Sequence, residues 1–327
     1  MRFGAIDIGT NSVLMLVVET RAAVPVAARP LLDLSTITRL GQGVDAHGRL
    51  DPEAVERTLA CLRDYARRLE RLRVDRLAVV STSAARDADG VGDFAQRVKQ
   101  ILGVELQVIS GQHEAQLACR GALGELPFEG AVGVCDVGGG STEIVQGMWM
   151  PDRKAAERFA IERAMSLNIG AVRLTERHLN SDPPGPEQIQ ELEAYVESLL
   201  SSSLGVPLAP ALARAWVGIG GTITTLASME LGLATYDSGR VHGFELTVER
   251  VRALLARLRS CSLRERQKIV GLNPKRADVI LAGACIVLQV MQWAGISKLA
   301  VSDRGVRWAL VDELQDAAGP LASEVLR

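Results

Sequence analysis

Two glycine-rich segments, separated by 129 residues, constrain the fold of this chain more than any other feature. Their sequences are DIGTNS over residues 7–12 and DVGGGSTE over residues 136–143. Each segment lies between two apolar runs, a pattern typical of a strand, a tight turn and a second strand. Because this arrangement occurs once in each half of the chain, we expect a duplicated fold whose two turns hold one ligand between them.

The composition of these turns indicates that the ligand carries phosphate. Glycine lets the backbone approach an anion closely, and successive N–H groups form a concavity that binds phosphate. Each segment also contains an aspartate, Asp7 in the first and Asp136 in the second. An aspartate would repel phosphate unless a divalent cation lay between them, and Mg²⁺ prefers oxygen ligands of this kind. We therefore predict that both aspartates are metal ligands; the alternative is that each caps its own turn.

Three further groups are candidates for the chemistry. Glu114 lies just inside a predicted helix, where it could accept a proton from a water attacking phosphorus or merely stabilise the helix N-terminus. Arg86 could bind phosphate through two hydrogen bonds, or pair with a neighbouring aspartate on the surface. A third glycine turn at residues 220–222 opens another predicted helix. Its N–H groups could hold a phosphate or a sugar, and the alternative is close packing of strand and helix.

Strands and helices alternate through both halves, which predicts two α/β domains with mixed sheets. The clearest helix begins at Asp51-Pro52 and continues with apolar residues at helical spacing to about residue 73. Glycine and proline cluster between residues 122 and 131, where we expect the domain boundary. The predicted domains are therefore residues 1–128 and 129–327, with the ligand in the cleft between them.

Composition excludes several classes of protein. A net charge of −2 and a pI near 6.2 argue against a nucleic-acid-binding protein. The longest apolar stretch, residues 277–296, contains Asp278 and two glutamines, so we predict a buried core helix and no membrane span. The five cysteines are scattered without CxxC spacing, and no cationic, apolar leader opens the sequence. We therefore expect a cytoplasmic protein that binds neither nucleic acid nor membrane.

A set of segments, in this order along the chain, resembles the exopolyphosphatase / guanosine pentaphosphate phosphatase family. The segments are DIGTNS at 7–12, STSAARDA at 81–88, SGQHEA at 110–115, DVGGGSTE at 136–143, SLNIGAVR at 166–173, GGT at 220–222, RAD at 276–278 and SDRGVR at 302–307. No single segment is decisive. The ordered set is specific, and the resemblance extends from residue 3 to about residue 312.

This resemblance implies two ribonuclease-H-like α/β domains of the actin-like ATPase superfamily, with the active site in the cleft between them. It implies hydrolysis of the terminal phosphoanhydride of inorganic polyphosphate, with guanosine pentaphosphate as the alternative substrate. By family analogy, Glu114 deprotonates the water, while Asp7 and Asp136 hold Mg²⁺, with Mn²⁺ as an alternative. A homodimer is compatible with the resemblance. The expected phosphate-binding residues are Gly9, Thr10, Asn11, Ser12, Arg86, Gly138, Gly139, Gly140, Ser141, Thr142, Gly220, Gly221 and Thr222.

The chain departs from the family pattern at two places. His113 replaces a glutamate just before the proposed base, and Gly90 lies near the place of a usual asparagine. The chain resembles the short form of the family, which would favour short polyphosphates or a nucleotide over very long polymers. Two other functions stay open because one fold hosts many chemistries. They are a small-metabolite kinase and a sensor that binds phosphate chains without hydrolysing them.

Overall fold

The computed structural model describes residues 1–20, 29–153, 158–204 and 215–318, which form two mixed β-sheets flanked by helices. The strands are β1 (Arg2–Ile8), β2 (Ser12–Glu19), β3 (Arg29–Ile37), β4 (Arg76–Ser81), β5 (Gln107–Val108), β6 (Gly130–Val137), β7 (Thr142–Trp149), β8 (Phe159–Leu167), β9 (Ala215–Ile219), β10 (Glu245–Thr247) and β11 (Lys298–Val301). The helices are α1 (Val44–His47), α2 (Pro52–Arg71), α3 (Ser83–Asp87), α4 (Val91–Leu102), α5 (Gly111–Leu123), α6 (Ala171–His178), α7 (Pro186–Leu204), α8 (Gly220–Glu230), α9 (Ser238–Val241), α10 (Val248–Ser260), α11 (Leu263–Arg266), α12 (Ile280–Trp293) and α13 (Val306–Ala318), with a 3-10 turn at Pro274–Arg276.

The two sheets repeat one topology. Their strand orders are β3-β2-β1-β4-β5 and β10-β11-β9-β6-β7-β8. In each half an antiparallel three-strand meander (β1 to β3, β6 to β8) comes first, and its first strand then pairs in parallel with the next one, β4 or β9. The second sheet adds β10 at its edge. This duplication confirms the predicted fold class, two ribonuclease-H-like α/β halves.

Both glycine-rich segments form the tight turns that the sequence predicts. The Gly9 N–H donates to the Ser12 carbonyl at 3.0 Å, and the Gly138 N–H donates to the Ser141 carbonyl, also at 3.0 Å. The two hairpins therefore close with the same hydrogen bond, one in each half of the molecule.

Local signals also position the helices around these sheets. The Asp51 carboxylate accepts the Ala54 N–H at 2.9 Å and begins α2, and the Ser110 hydroxyl accepts the His113 N–H at 3.2 Å and begins α5. Helix α12 is buried along most of its length, as the apolar stretch predicts. In the part of the chain that the structure describes, no helix is both long and apolar enough to cross a membrane.

One hydrophobic core joins the two halves. Helices α5 and α13 pack together and contribute to a cluster that also contains residues of β1, β6, β7 and β9. Their close approach requires glycine at position 121, because a Cβ there would lie 2.0 Å from the Gly305 carbonyl oxygen. Helix α13 also contacts the first sheet, so residues from both sides of the predicted boundary share this core.

Candidate active site

A cavity of about 110 Å³ lies where the two hairpin turns meet between the halves. Residues of both halves line this cavity, and those of the second half include the N-terminus of α8. The lining includes most residues that the sequence predicts for the site: Asp7, Gly9, Thr10, Asn11, Ser12, Glu114, Asp136, Gly138, Gly139, Gly140, Ser141, Gly220, Gly221 and Thr222. Residues distant in sequence are therefore brought together as the duplicated pattern predicts.

The two hairpin turns touch each other at this cavity. A Cβ atom added to Gly139 would lie 3.1 Å from the Cβ atoms of Thr10 and Asn11. A Cβ atom added to Gly140 would lie 2.5 Å from the Ser83 hydroxyl oxygen. The missing side chains therefore let the second turn pack directly against the first, which brings two sets of backbone N–H groups to one place.

The third glycine turn contacts the second hairpin. Gly220 has a φ of +88°, a conformation that side chains other than glycine rarely adopt. A Cβ there would lie 2.3 Å from Asp136 Oδ1. Glycine at this position thus permits both the turn from β9 into α8 and the close approach of the Asp136 carboxylate.

Four acidic side chains line the cavity: Asp7, Glu114, Asp136 and Glu143. Burial, reinforced by the charge of Glu114, raises the pKa of Asp7 to about 7 and that of Asp136 to about 8. Burial also raises the pKa of Glu114, although the Arg86 guanidinium opposes this shift. Burial and the charges of Glu114 and Asp136 raise the pKa of Glu143 strongly. The cavity therefore concentrates negative charge that needs a positive ligand or protons.

The donors at Asp7 and Asp136 fit a divalent cation. Asp7 Oδ1 is buried and has no hydrogen-bond partner, which leaves a carboxylate oxygen available as a ligand. Over the described residues, no group of three or more His, Cys, Asp or Glu side chains is arranged to hold a metal ion. A cation bound by the two aspartates would therefore complete its shell with phosphate oxygens and water, as Mg²⁺ commonly does.

Arg86 holds Glu114 and is not among the residues that line the cavity. Its Nη1 donates to Glu114 Oε2 at 3.0 Å and to the Ile109 carbonyl at 3.2 Å. Glu114 is 8% exposed, so this contact fixes the orientation of a nearly buried carboxylate. Arg86 Nε also lies 3.8 Å from Asp87 Oδ1, which is the alternative pairing that the sequence predicts. The contact of Arg86 with phosphate stays a prediction.

Thr142 also lies outside the cavity lining. Its side chain is fully buried, and its hydroxyl donates to the Ile169 carbonyl at 2.6 Å. This bond ties the start of β7 to the segment that follows β8. Among the residues predicted to bind phosphate, Thr142 and Arg86 are thus the two that do not line the cavity.

A model of the Ppx/GppA phosphatase family matches residues 17–317 of the chain. The chain belongs to this family. Exopolyphosphatase 2 of Mycobacterium tuberculosis is 39% identical over 319 residues, which cover 93% of this chain and 96% of that protein. The family resemblance and the predicted enzyme class, a hydrolase, are therefore confirmed.

Solved structures share the architecture over nearly the whole chain. A crystal structure of a Ppx/GppA family member from Aquifex aeolicus has a TM-score of 0.78 at 32% identity and covers 98% of this chain and 99% of that one. An exopolyphosphatase-like protein has a TM-score of 0.86 at 31% identity, with coverages of 96% and 97%. The two α/β halves are therefore a feature of the family.

Two charged cavity residues of this Ppx/GppA chain, Glu143 and Arg276, escape the sequence prediction. Glu143 is 2% exposed and accepts a hydrogen bond from the Ser166 hydroxyl at 2.8 Å. Its signal is a charged residue beside the apolar Ile144 and Val145 of a predicted strand. Arg276 lines the cavity from the 3-10 turn, and only its place in the RAD segment points to it.

Both departures from the family pattern lie outside the cavity lining. His113 is exposed on the first turn of α5, on another side of the helix from the buried Glu114. Gly90 has a φ of +74° at the N-terminus of α4. Asparagine is among the residues that adopt this left-handed region most readily, so glycine can replace it there without a change of backbone.

Proposed function

We propose that the protein is an exopolyphosphatase that hydrolyses the terminal phosphoanhydride of inorganic polyphosphate and releases orthophosphate. The observation that carries this proposal is the convergence of two glycine turns and Glu114 on one cavity. Its volume of about 110 Å³ suits the end of a phosphate chain, because pockets for drug-sized ligands measure about 300–1,000 Å³. The relative named Exopolyphosphatase 2 supports the same substrate.

The terminal phosphate binds between the two turns in this proposal. The first turn offers side-chain donors from Thr10, Asn11 and Ser12, and the second offers the backbone N–H groups of residues 139 and 140. Arg276 adds a guanidinium to the same lining. Phosphoryl transfer depends mainly on such positioning and charge stabilisation, because its transition state needs little covalent help.

Glu114 accepts the proton of the attacking water. The water oxygen forms a bond to the terminal phosphorus, the bridging phosphorus–oxygen bond breaks, and the shortened chain leaves with the electron pair of that bond. The raised pKa of Glu114 brings it closer to neutral pH, where a general base is most effective. Its hydrogen bond with Arg86 keeps the accepting carboxylate in place.

Asp7 and Asp136 hold Mg²⁺ in this proposal, or Mn²⁺ as the alternative. When bound, the ion neutralises charge on the phosphate chain and on the two carboxylates. The unpaired Asp7 Oδ1 and the raised pKa values of both aspartates support this assignment.

The setting proposed for the enzyme is the cytoplasm. All five cysteines are free thiols, which is usual in a reducing compartment. Hydrolysis of guanosine pentaphosphate stays a prediction, which the experiment below tests. A homodimer also stays a prediction, and a sedimentation measurement tests it.

The deciding experiment measures phosphate release with Mg²⁺ from medium-chain polyphosphate, triphosphate, guanosine pentaphosphate and ATP in parallel. Glu114→Gln keeps the shape of the side chain but removes its basicity, so we expect turnover of polyphosphate to fall by about 100-fold or more. Glu105→Gln makes the same change at an exposed carboxylate of the same half and serves as the control.

Each outcome separates two functions. Preferred hydrolysis of guanosine pentaphosphate would keep the mechanism and replace the substrate. Binding of polyphosphate without phosphate release from any compound would contradict the enzyme and favour the sensor. Equal losses in both variants would remove the evidence that Glu114 is the base.

A further inference from the structure

Arg173 joins the two halves of the molecule beside the cavity. It lies in the first turn of α6, within the SLNIGAVR segment. Toward the second half, its backbone N–H donates to the Gly139 carbonyl at 3.1 Å, and its Nε donates to the Gly140 carbonyl at 2.8 Å. Toward the first half, its two terminal nitrogens pair with Asp45 and Asp87. Arg173 therefore contacts both the turn of the second hairpin and two carboxylates of the first half.

The Asp87 partner connects Arg173 to the proposed base. Asp87 accepts a hydrogen bond from the hydroxyl of Ser83, a cavity residue, at 3.1 Å. It also follows Arg86 directly on α3, and Arg86 is the residue that holds Glu114. A shift of Asp87 would therefore move the short helix that orients the Glu114 carboxylate.

The Asp45 partner connects Arg173 to the first phosphate turn. Asp45 lies on α1, just after a loop that is bonded to that turn. The N–H groups of residues 38 and 39 donate to the Asn11 carbonyl at 3.1 and 2.9 Å, and the Gly41 N–H donates to the Thr10 carbonyl at 2.9 Å. Arg173 thus reaches both turns, one directly and one through this loop.

The burial of these charges favours a role in geometry over a role in stability. The Arg173 side chain is 10% exposed and that of Asp45 is 15% exposed. Pairing of buried charges approximately offsets the cost of removing them from water, so such a pair adds little net stability. The same pair strongly disfavours any arrangement of the halves in which one partner stays buried and unpaired.

We propose that Arg173 is a positioning residue that holds the two halves in the arrangement where both turns and Glu114 meet one phosphate group. This inference rests on the proposed function. In this inference, one guanidinium fixes the relative position of the two halves through three partners: Gly140, Asp45 and Asp87.

The test compares Arg173→Gln with Arg177→Gln. Arg177 lies one helical turn further on α6 and also pairs with Asp45, but it donates its other hydrogen bond to the Tyr195 hydroxyl, outside the cavity. A small misplacement of reacting groups costs up to about 100-fold, so we expect Arg173→Gln to lower kcat by about 10- to 100-fold with a smaller change in KM. Arg177→Gln should stay within about 3-fold of the unmodified protein.

A conservative variant keeps the test informative if Arg173→Gln does not fold. Arg173→Lys retains the charge, but a single ammonium cannot reach three partners in the planar geometry of a guanidinium. We expect its kcat to lie between those of Arg173→Gln and the unmodified protein. A kcat for Arg173→Lys equal to that of the unmodified protein would overturn the assignment.

A distance measurement separates this inference from the proposed function. Spin labels at Ala60→Cys on α2 and Gln190→Cys on α7, both exposed, report the separation of the halves once Cys261 is changed to serine. We expect a broader distance distribution for Arg173→Gln and no change for Arg177→Gln, with no substrate present. Identical distributions for the two variants would overturn the positioning role. Lack of hydrolysis by the unmodified protein would contradict only the proposed function.

Discussion

The two hairpins have the same kind of turn, but the residue opposite the aspartate on the neighbouring strand differs between them. Asp7 of β1 lies opposite Leu14 of β2, whereas Asp136 of β6 lies opposite Glu143 of β7. The turns differ as well, since the first has one glycine followed by polar side chains and the second has three glycines in a row. The same backbone therefore presents side-chain donors in one half, and backbone donors with a second carboxyl group in the other.

This difference shows how a duplicated fold supports an asymmetric site. The repeated topology brings two equivalent turns to one cavity, and substitutions at equivalent positions then decide the chemistry. The proposed base, Glu114, belongs to neither hairpin, because it lies on the helix that leads from the first half to the second. Attack by water requires such asymmetry, since the phosphate must be held on one side and approached from another.

The largest expected effect comes from making the second hairpin resemble the first. In Glu143→Leu, the cavity loses a carboxyl group that is oriented by the Ser166 hydroxyl. Removing an oriented polar group from such a site typically costs about 100- to 1,000-fold, so we expect kcat for polyphosphate to fall by that amount. Phosphate release, with the melting temperature as a check of folding, measures the effect.

Glu162→Leu is the matched control, because Glu162 is exposed on the neighbouring strand β8. Its activity should stay within about 2-fold of the unmodified protein. Comparable activity in the two variants would mean that the carboxyl group of Glu143 is dispensable and that the hairpins are chemically equivalent.

The comparison of the hairpins also shows which parts of the fold and of the site the sequence predicts. Both turns and their shared cavity follow from local patterns, because a tight turn between strands leaves a signature in adjacent residues. The opposition of Asp136 to Glu143 depends on strand register, and Arg276 reaches the cavity through tertiary packing. The sequence does not predict the contact between Arg86 and Glu114 for a related reason, since it joins two helices, α3 and α5, that only tertiary packing brings together.

A smaller effect should come from a methyl group added to one glycine of each half. Gly220→Ala forces a side chain into a left-handed conformation, 2.3 Å from Asp136 Oδ1. We expect a loss of about 1–3 kcal/mol in the free energy of unfolding and about 10-fold in kcat, because the carboxylate must move.

Gly9→Ala adds the same methyl group to a glycine of the first half. Its Cβ would lie 3.3 Å from the Ser12 carbonyl oxygen, and its φ is not left-handed. We expect a loss of less than about 1 kcal/mol, measured by urea unfolding of both variants. If Gly9→Ala proved the more harmful change, the first turn would be the more tightly constrained of the two.

The pH dependence of stability distinguishes the two aspartates. Their folded pKa values of about 7 for Asp7 and about 8 for Asp136 exceed the value of about 3.9 for an unfolded aspartate. At pH values between the unfolded and folded pKa values, the folded state binds more protons than the unfolded state. Without a divalent cation, the free energy of unfolding should therefore fall as pH rises from about 5 to about 8. Thermal melting in a chelating buffer measures this slope.

Replacing each aspartate by asparagine removes its share of the slope. We expect Asp7→Asn to flatten the curve up to about pH 7 and Asp136→Asn to flatten it up to about pH 8. Adding Mg²⁺ should raise the melting temperature of the unmodified protein more at the upper end of this range than at the lower end. Slopes that match the unmodified protein in both variants would show that neither aspartate is desolvated as the structure indicates.

The smallest effect should follow from restoring the glutamate of the family pattern in His113→Glu. Position 113 is the third residue of α5, and its N–H already donates to the Ser110 hydroxyl at 3.2 Å. A glutamate there can accept the Ser110 N–H and complete a capping box, which stabilises the helix by about 0.5 kcal/mol. Because the side chain is exposed and outside the cavity, we expect kcat to change by less than about 2-fold. A gain of about 10-fold would instead place this side chain in the path of the phosphate chain, and the first half would then contribute a second carboxylate as Glu143 does in the second.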